Sequence, residues 1–350
     1  MPALTSTGTR RRRRTAAAIT LTAAVTAGAT LLTGCASTVR VGAGAPGTAG
    51  STPSPAPSGS GSATPMPSAP PAPSGGSSAV PVLNGTANSR LTVSNGTATV
   101  VMNGGTVDFG TVVRDLSWNP AGTKAVFIDG AGNLDTANAD GTGRVLVARA
   151  PSGETWSHPT WQVTPYRKAY GVPASSLLYF AASKGGVQQL EYLPSTSVNG
   201  TPKVLTGYGF PGDAPVPKTG NAWPGAGGGF ASMVFANAGT GEVYLRDDYL
   251  REQTAAFAQG SEPSLSPDGN TVAFVRSVDG HDHLFTESVQ QNGAAKDLTP
   301  NAGTDYTEPA WSPDGKTIAV RLPNGIATLP ADGSAAPVRV SSATGLPAYR

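Results

Sequence analysis

Cysteine, histidine and charge are scarce in this sequence, and each shortage excludes a class of protein. The 350-residue chain has one cysteine, Cys35, and three histidines. A single cysteine excludes a disulfide framework and a cysteine-based metal cluster, and three histidines leave little material for zinc or triad chemistry. Only 13% of the residues are charged, roughly half of the share usual in soluble proteins. The composition therefore indicates neither a metalloenzyme nor a disulfide scaffold.

A basic surface is lacking as well, although the formal net charge is +2. Five of the 24 basic side chains are Arg10–Arg14, and residues 1–34 contain no Asp or Glu. The remaining chain therefore carries 19 basic against 22 acidic side chains. Nucleic-acid recognition requires a basic face on the folded part, so we expect no nucleic-acid partner.

The first 34 residues have the plan of an export signal. Arg10–Arg14 precede Ala16–Leu32, a mildly apolar segment rich in Ala and Thr, as in a signal peptide. The segment ends at Leu32-Thr33-Gly34-Cys35, which resembles the bacterial lipobox Leu-x-Gly-Cys. That resemblance implies that Cys35 is acylated and becomes the first mature residue. We therefore predict a lipoprotein signal peptide over residues 1–34 and a lipid anchor on the extracytoplasmic face of the cell membrane.

Two alternatives to the lipid anchor remain open at this point. One is a chance cysteine at the end of an apolar segment, and the other is an uncleaved transmembrane helix. The apolar segment is slightly short for a span and poor in Leu, Ile and Phe. The arginine block also resembles a twin-arginine signal without the bulky apolar residues that usually follow, so the export route stays open.

A low-complexity linker follows the cysteine. From Gly42 to Ala79 every residue except Met66 is Gly, Ala, Pro, Ser or Thr. Such a segment has no apolar surface to bury against the entropy of ordering. We predict a disordered tether over residues 35–79 and a folded domain over residues 80–350.

The folded part contains an internal repeat. Three similar dodecapeptides, each with a tight-turn sequence between apolar segments, are Leu116–Phe127, Pro263–Phe274 and Pro309–Val320. Two weaker copies contain Pro159-Thr160-Trp161 and Ala222-Trp223-Pro224. Aligned on Trp118, Trp161, Trp223, Leu265 and Trp311, the copies are separated by 43, 62, 42 and 46 residues. A period in the low forties is typical of propeller blades, and we assign the longer gap to a loop around residues 202–220.

The local sequence predicts an all-β fold of six four-stranded blades. Pro followed by Asp-Gly favours a tight turn, and the flanking β-branched segments favour strands. No stretch of the folded part has a sustained helical apolar period. Residues 80–113 supply most of a sixth blade, which we expect the C-terminal segment Pro337–Val340 to complete. Joining both chain ends in one sheet would close the ring and leave no long exposed edge.

The repeat resembles the WD40-like repeat of the TolB propeller family. Residues 263–274 and 309–320 match closely, residues around Trp118 match fairly, and the other two copies match poorly. The resemblance implies a six-bladed propeller used mainly for protein–protein contact. TolB itself is a soluble periplasmic protein with an α/β domain ahead of its propeller, whereas a lipobox and a tether stand there in this chain. The layout is more similar to surface lipoproteins of high-GC Gram-positive bacteria, some of which accompany sensor kinases.

The histidines are the most reactive candidates. His281-Asp282-His283 would place two imidazoles on one face of a strand, as in a metal site, but we expect the cluster to lie in a solvated hairpin turn. His158 lies on the approach to a repeat strand, where we expect a structural role, and a role in a pocket is the alternative. We therefore predict no metal site, no catalytic residue and no cofactor, and the residues of a binding site remain unknown.

Other polar and aromatic residues have structural interpretations. Asp268 and Asp314 are expected in turns, Asp247, Asp248 and Glu252 in a charged loop, and Gly225–Gly229 in a glycine-rich loop. Trp118, Trp161, Trp223 and Trp311 are expected to pack between blades rather than to stack on sugars.

The function that these features favour is protein binding at the cell envelope. We expect a monomer that is bound to the membrane through Cys35 and holds an envelope protein partner. The alternative is a lipoprotein that binds envelope glycan or another small ligand at the funnel mouth. A propeller hydrolase or lyase is the third hypothesis, and we do not expect an enzyme.

Overall fold

The structure, a computed structural model, describes residues 82–209, 211, 214–230, 232–248, 253–290 and 294–350. The predicted signal peptide (1–34), Cys35 and the predicted linker (35–79) lie outside the described residues. Within the described part, no helix has the length and apolar character needed to cross a membrane.

The described chain consists of β-strands and one turn of 3-10 helix, Lys168–Tyr170. The first seven strands are β1 Leu91–Ser94, β2 Thr99–Met102, β3 Gly105–Asp108, β4 Arg114–Trp118, β5 Lys124–Ile128, β6 Leu134–Asn138 and β7 Val145–Ala148. The next eight are β8 Glu154–Thr164, β9 Ser175–Lys184, β10 Val187–Pro194, β11 Lys203–Val204, β12 Asn221–Gly227, β13 Ser232–Asn237, β14 Glu242–Asp247 and β15 Gln253–Gln259. The last nine are β16 Ser261–Leu265, β17 Thr271–Val278, β18 His281–Ser288, β19 Lys296–Asp297, β20 Thr307–Trp311, β21 Thr317–Leu322, β22 Gly325–Pro330, β23 Val338–Ser341 and β24 Leu346–Tyr349.

These strands form six antiparallel four-stranded sheets, which confirms the predicted six-bladed propeller. Blade 1 is β4–β7, blade 2 is β8–β11, blade 3 is β12–β15, blade 4 is β16–β19, and blade 5 is β20–β23. Blade 6 has the order β24-β1-β2-β3. The strands β4, β8, β12, β16, β20 and β24 each contact the next one around a closed circuit. They are therefore the innermost strands and surround a central channel.

Blade 6 joins the two ends of the folded part, although not through the segment that the sequence predicted. Strand β24 pairs with β1 from Leu91↔Tyr349 to Ser94↔Leu346. Pro337–Val340 overlaps β23 instead, the outermost strand of blade 5. The prediction of that segment was wrong because Pro337–Val340 pairs with β22 of blade 5, and the chain makes one more turn before β24 reaches β1. Closure itself leaves no innermost strand unpaired.

Apolar clusters fill the space between neighbouring blades. Blades 1 and 2 share a cluster that includes Phe180 and Trp161, and equivalent clusters occupy the other five junctions. Trp118, Trp161 and Trp311 belong to or pack against these clusters, as predicted. Trp118 also donates a hydrogen bond from Nε1 to Thr92 Oγ1 (3.0 Å), and Thr92 Oγ1 donates to the Ala348 carbonyl (2.9 Å). This chain of bonds ties blade 1 to both chain ends in blade 6.

The predicted turns form as their sequences require. Ser266 Oγ donates to Asp268 Oδ1 (2.5 Å), and Ser312 Oγ makes the same bond to Asp314 (2.6 Å). Backbone N–H groups of Asn270 and Lys316 also donate to these carboxylates, as Asp does in tight turns. Asp268 and Asp314 are therefore turn residues, as predicted.

The extra residues of blade 2 lie in two places instead of the single loop that we predicted. The predicted loop around residues 202–220 begins only after β11, which includes Lys203 and Val204. A second part of the insertion lies between β8 and β9, which are 11 and 10 residues long. This long hairpin carries residues 165–174 at its tip, and these residues border the site described next.

Candidate functional site

Five innermost strands carry a β-bulge at the same place. The pairing of each with the second strand of its blade shifts register there. One residue in each bulge has a left-handed backbone, with φ between 49° and 54°, which non-glycine residues seldom adopt. The five are Asp115, His158, Trp223, Glu262 and Glu308. A bulge redirects its side chain relative to the strand, and all five line the central channel. We call them the channel ring.

The side chains of the channel ring meet across the channel. Glu308 Oε1 lies 3.2 Å from His158 Nε2 and accepts a hydrogen bond from Trp223 Nε1 (3.3 Å). Blade 5 supplies Glu308, whereas blades 2 and 3 supply the other two, so neither contact joins neighbouring blades. The Trp223 ring also lies 5.7 Å from the His158 ring, between centroids. The three side chains thus close much of the channel at this level.

Two carboxylates of the channel ring also stabilise its left-handed backbone. Asp115 Oδ2 accepts from the His158 backbone N–H (3.2 Å), and Glu262 Oε2 accepts from the Glu308 backbone N–H (2.6 Å). In each pair the carboxylate belongs to one blade and the N–H to the next. The ring therefore links blades electrostatically as well as by packing.

Burial and mutual charge shift the titration of three ring members. Burial and then the neighbouring Glu308 charge raise the pKa of Glu262 to about 7. Burial opposes the charged form of His158, but its hydrogen bond to Glu308 and the surrounding carboxylates outweigh burial and raise its pKa. Burial likewise opposes the charge on Glu308, yet the hydrogen bond and charge of His158 outweigh burial and lower its pKa. At neutral pH the ring therefore holds a His158–Glu308 ion pair beside further acidic groups.

A cavity of about 480 Å³ extends from the channel ring to the turns that follow the innermost strands. The cavity-lining residues two positions after each channel-ring residue have small side chains or none, and so does the lining residue of β24. They are Ser117, Thr160, Gly225, Ser264, Ala310 and Ala348. Among the described lining residues, Arg350 alone is a lysine or an arginine. The cavity is therefore a funnel with small neutral walls and an acidic floor, large enough for a side chain or a short peptide.

An aromatic surface borders the funnel on the side of blades 2 and 3. Tyr166, Tyr170 and Phe230 are 64%, 63% and 50% exposed. Arg167 lies over the Phe230 ring, 4.2 Å from its centroid, and donates to the carbonyl of Gly229 (3.0 Å), a cavity-lining residue. We call Tyr166, Arg167, Tyr170 and Phe230 the aromatic lip.

The sequence favoured a structural role for His158 over a role in a pocket, and the structure places this side chain in the channel ring, where it lines the cavity. The alignment of Trp223 with the other tryptophans was wrong: its register matches Glu308, and Ala226 holds the place of Trp311. Asp115, Glu262 and Glu308 were not among the residues predicted from the sequence. A usable signal was present, because His158, Trp223, Glu262 and Glu308 all directly precede the proline of their repeat.

The histidine pair does not lie in a hairpin turn. The turn contains Asp279 and Gly280, while His281 and His283 belong to strand β18. His283 is buried and its Nδ1 lies 2.8 Å from Asp297 Oδ2, whereas His281 Nδ1 lies 3.3 Å from Asp305 Oδ1. Each imidazole thus has its own carboxylate. Within the described ranges, no three His, Cys, Asp or Glu side chains are grouped to hold a metal ion.

Two further loop predictions need correction. Gly225–Gly227 form the end of strand β12 rather than a loop. Gly225 and Gly227 have no side chain and therefore fit against the backbone of residues 263–266, in and directly after β16. Asp247 ends strand β14, and Asp248 is only 11% exposed and forms an ion pair with Arg246. Glu252 lies outside the described residues.

The geometry defines a TolB-like β-propeller with an acidic central funnel. The chain superimposes on a TolB-designated protein of Agrobacterium tumefaciens with a TM-score of 0.52 and 16% identity, over 67% of this chain and 82% of that one. For TolB from Acinetobacter baumannii the TM-score is 0.51 at 16% identity, over 74% of this chain and 65% of that one. A chain of the nidogen/laminin complex gives 0.51 at 10% identity, over 74% and 97% of the two chains. No family model matches the chain, and no curated protein matches it in sequence.

Proposed function

We propose that this chain is a cell-envelope protein, anchored by a lipid on Cys35, whose propeller holds a protein partner at the funnel. The TolB-like fold supports an interaction module. The N-terminal signal and lipobox-like sequence support export and anchoring. The partner inserts a basic side chain into the funnel, and the rest of its contact surface lies on the aromatic lip.

The acidic floor of the funnel is the observation that carries this proposal. Asp115, Glu262 and Glu308 converge there with one imidazole. Carboxylates in a partly desolvated site favour a cationic group, and the adjacent Trp223 ring adds a surface for cation–π contact. The small side chains above the ring leave room for a lysine or arginine to reach this floor.

The aromatic lip supports a protein partner rather than a free amine. Tryptophan, tyrosine and arginine are enriched among the few residues that supply most of the binding energy of protein interfaces. In this chain three exposed aromatic side chains and one arginine stand beside the cavity opening. A partner that contacts both the lip and the floor would combine apolar burial with charge complementarity.

Site-specific photocrosslinking in intact cells tests partner binding. A photoreactive residue in place of Tyr170 is expected to yield one dominant protein adduct, with the crosslinked peptide close to a lysine or arginine. Replacing Glu308 by Gln in the same chain should lower the adduct yield at least tenfold, because the floor loses a charge that partners His158.

Val338 provides the matched control position. It is 63% exposed, similar to Tyr170, but it lies on the outermost strand of blade 5. Partner binding at the funnel would be refuted if the photoreactive residue at Val338 gave the same adduct yield as the one at Tyr170. It would also be refuted if Glu308→Gln left the adduct yield at Tyr170 unchanged.

The lipid anchor is tested separately by Cys35→Ser. The unaltered chain should incorporate labelled palmitate and sediment with membranes, since one thioether-linked lipid group and its N-acyl chain bury many methylenes. The variant is expected to lose the label and at least nine-tenths of its membrane association. Unchanged sedimentation of the variant would instead favour an uncleaved membrane-spanning segment.

A further inference from the structure

A second cavity lies away from the funnel, between blades 2 and 3. Its volume is about 360 Å³, within the range of small-molecule sites. Strands β8, β9 and β10, the segment between β8 and β9, residues 204–206 at the end of β11 and the end of β14 supply its lining. Gln162 also lines the funnel, but the other members of the second cavity do not.

The polar half of this cavity is preorganised and electrically balanced. Arg246, which is 5% exposed, donates from Nε to Asp248 and from Nη1 to the Thr206 carbonyl (2.8 Å). Tyr179 Oη lies 3.3 Å from Gln162 Oε1 and 3.5 Å from Asp248 Oδ2. Because Asp248 forms an ion pair with Arg246, the described lining residues of the cavity offer donors and acceptors whose charges sum to zero.

One polar atom of the cavity has no partner within the described residues. Thr164 is 2% exposed, and its Oγ1 makes no hydrogen bond to any described group. Buried hydroxyl groups are normally satisfied, because an unmade hydrogen bond costs free energy. A ligand hydroxyl in the cavity would satisfy this atom.

The other half of the cavity is apolar and contains two aromatic rings. Tyr179 and Tyr192 are stacked, with centroids 5.5 Å apart and planes 24° apart. Val172, Pro173 and Leu177 lie on the same lining. The cavity thus combines an aromatic and aliphatic wall with a neutral set of hydrogen-bonding groups.

We propose that this cavity binds one neutral sugar ring. The C–H face of a pyranose would pack on the tyrosine and aliphatic wall, and its hydroxyls would bond to Thr164, Gln162 and the Arg246–Asp248 pair. A carboxylate or phosphate ligand fits less well because Asp248 already occupies the Arg246 Nε donor. This second site extends the chain's role beyond partner binding at the funnel.

Saturation-transfer NMR on the full chain tests this site with three sugars, their three methyl glycosides and one anion. The sugars are D-glucose, D-galactose and N-acetyl-D-glucosamine, and acetate is the anionic comparison. At least one sugar should bind with a millimolar or lower dissociation constant. Methyl glycosides that bind as well as the free sugars would identify the terminal unit of an envelope polysaccharide as the source, and selective binding of reducing sugars would identify a free monosaccharide.

Two variants assign binding to this cavity. Thr164→Val preserves shape but removes the unpartnered hydroxyl, and it should weaken binding about five- to tenfold. Ser175→Phe should fill the cavity and abolish binding. Thr155→Val, at an exposed position of the same strand, is the matched control and should bind normally. The proposal is overturned if no probe sugar binds, if acetate binds in preference, or if correctly folded Thr164→Val and Ser175→Phe variants bind as tightly as the control.

Discussion

A chain that ends at Gly345 is expected to lose cooperative folding of the propeller. The truncation removes β24, the innermost strand of blade 6, and with it the whole ladder from Leu91↔Tyr349 to Ser94↔Leu346. It also removes the Ala348 carbonyl that accepts from Thr92. The edge of β1 would then face the open channel, and blades 5 and 1 would lose the strand between them. The expected loss is comparable with the total stability of a typical domain, about 5–15 kcal/mol.

Thermal and urea unfolding followed by near-ultraviolet circular dichroism measure this loss. A chain ending at Tyr349 is the matched control, because it removes only the final residue and its backbone bond to the Arg90 carbonyl. The control should unfold cooperatively within a few degrees of the full chain. If the chain ending at Gly345 unfolded as cooperatively as the control, β24 would not be what closes the ring.

Replacing Glu262 by Gln is expected to stabilise the propeller above pH 7. In the folded chain the pKa of Glu262 is raised to about 7, first by burial and then by the charge of Glu308. The unfolded chain releases this proton near the ordinary value of 4.5. Between these two values the unfolded state binds fewer protons, so the stability of the unaltered chain falls as the pH rises. Gln keeps the acceptor for the Glu308 backbone N–H but cannot ionise.

The size of the effect follows from the same shift. One unit of pKa difference corresponds to about 1.4 kcal/mol, so full ionisation of Glu262 costs on the order of 3 kcal/mol above pH 7. His158 acts in the same direction: its raised pKa contributes stability that is present at low pH and lost as the pH rises through the folded value. The variant retains the His158 component and should therefore have a shallower, not a flat, pH profile.

Urea unfolding of both chains at pH 4, 6 and 8 separates these contributions. The two free energies of unfolding should be similar at pH 4, where both side chains are uncharged, and should diverge in favour of the variant by pH 8. An equal difference at all three values would attribute the effect to packing instead of ionisation. A variant that is less stable at pH 8 would contradict the assigned pKa shift of Glu262.

The same ionisation of Glu262 makes the funnel more acidic as the pH rises through about 7. Deprotonated Glu262 adds a carboxylate beside the His158–Glu308 pair, and so the floor becomes more attractive to a basic side chain as the pH rises. The residue that weakens the fold therefore strengthens the proposed binding site. Buried titratable groups of this kind are frequent at functional sites, where stability is exchanged for recognition.

Local sequence was sufficient to predict the repeating unit of this fold. The Pro-Asp-Gly turns around Asp268 and Asp314 form through bonds between residues two positions apart. The apolar alternation of the flanking segments sets which side chains enter the core between blades, including Trp118 and Trp311. These features depend on short-range contacts, and for that reason the number and type of strands could be predicted.

Longer-range choices could not be predicted in the same way. Two segments near the C-terminus, Pro337–Val340 and Leu346–Tyr349, have strand-like sequences, and only closure of the ring decides which one pairs with β1. The Pro347-Ala348-Tyr349 sequence repeats the Pro309-Ala310-Trp311 pattern. It was not recognised as a copy of the repeat because the copies were aligned mainly on tryptophan, and this one has tyrosine. In blade 3 the tryptophan itself was misleading, because it occupies the bulge three residues before the expected position.

Apolar alternation and turn chemistry along the chain were enough to predict an all-β fold of six blades, their turns and the apolar residues between blades. The meeting of five side chains in one site depends instead on closure of the ring; they are Asp115, His158, Trp223, Glu262 and Glu308. They are contributed by five blades, and the first and last are 193 positions apart in the numbering of the chain. A bulge in each innermost strand turns these side chains toward one axis, and the closed ring holds their charges close enough to shift one another's pKa.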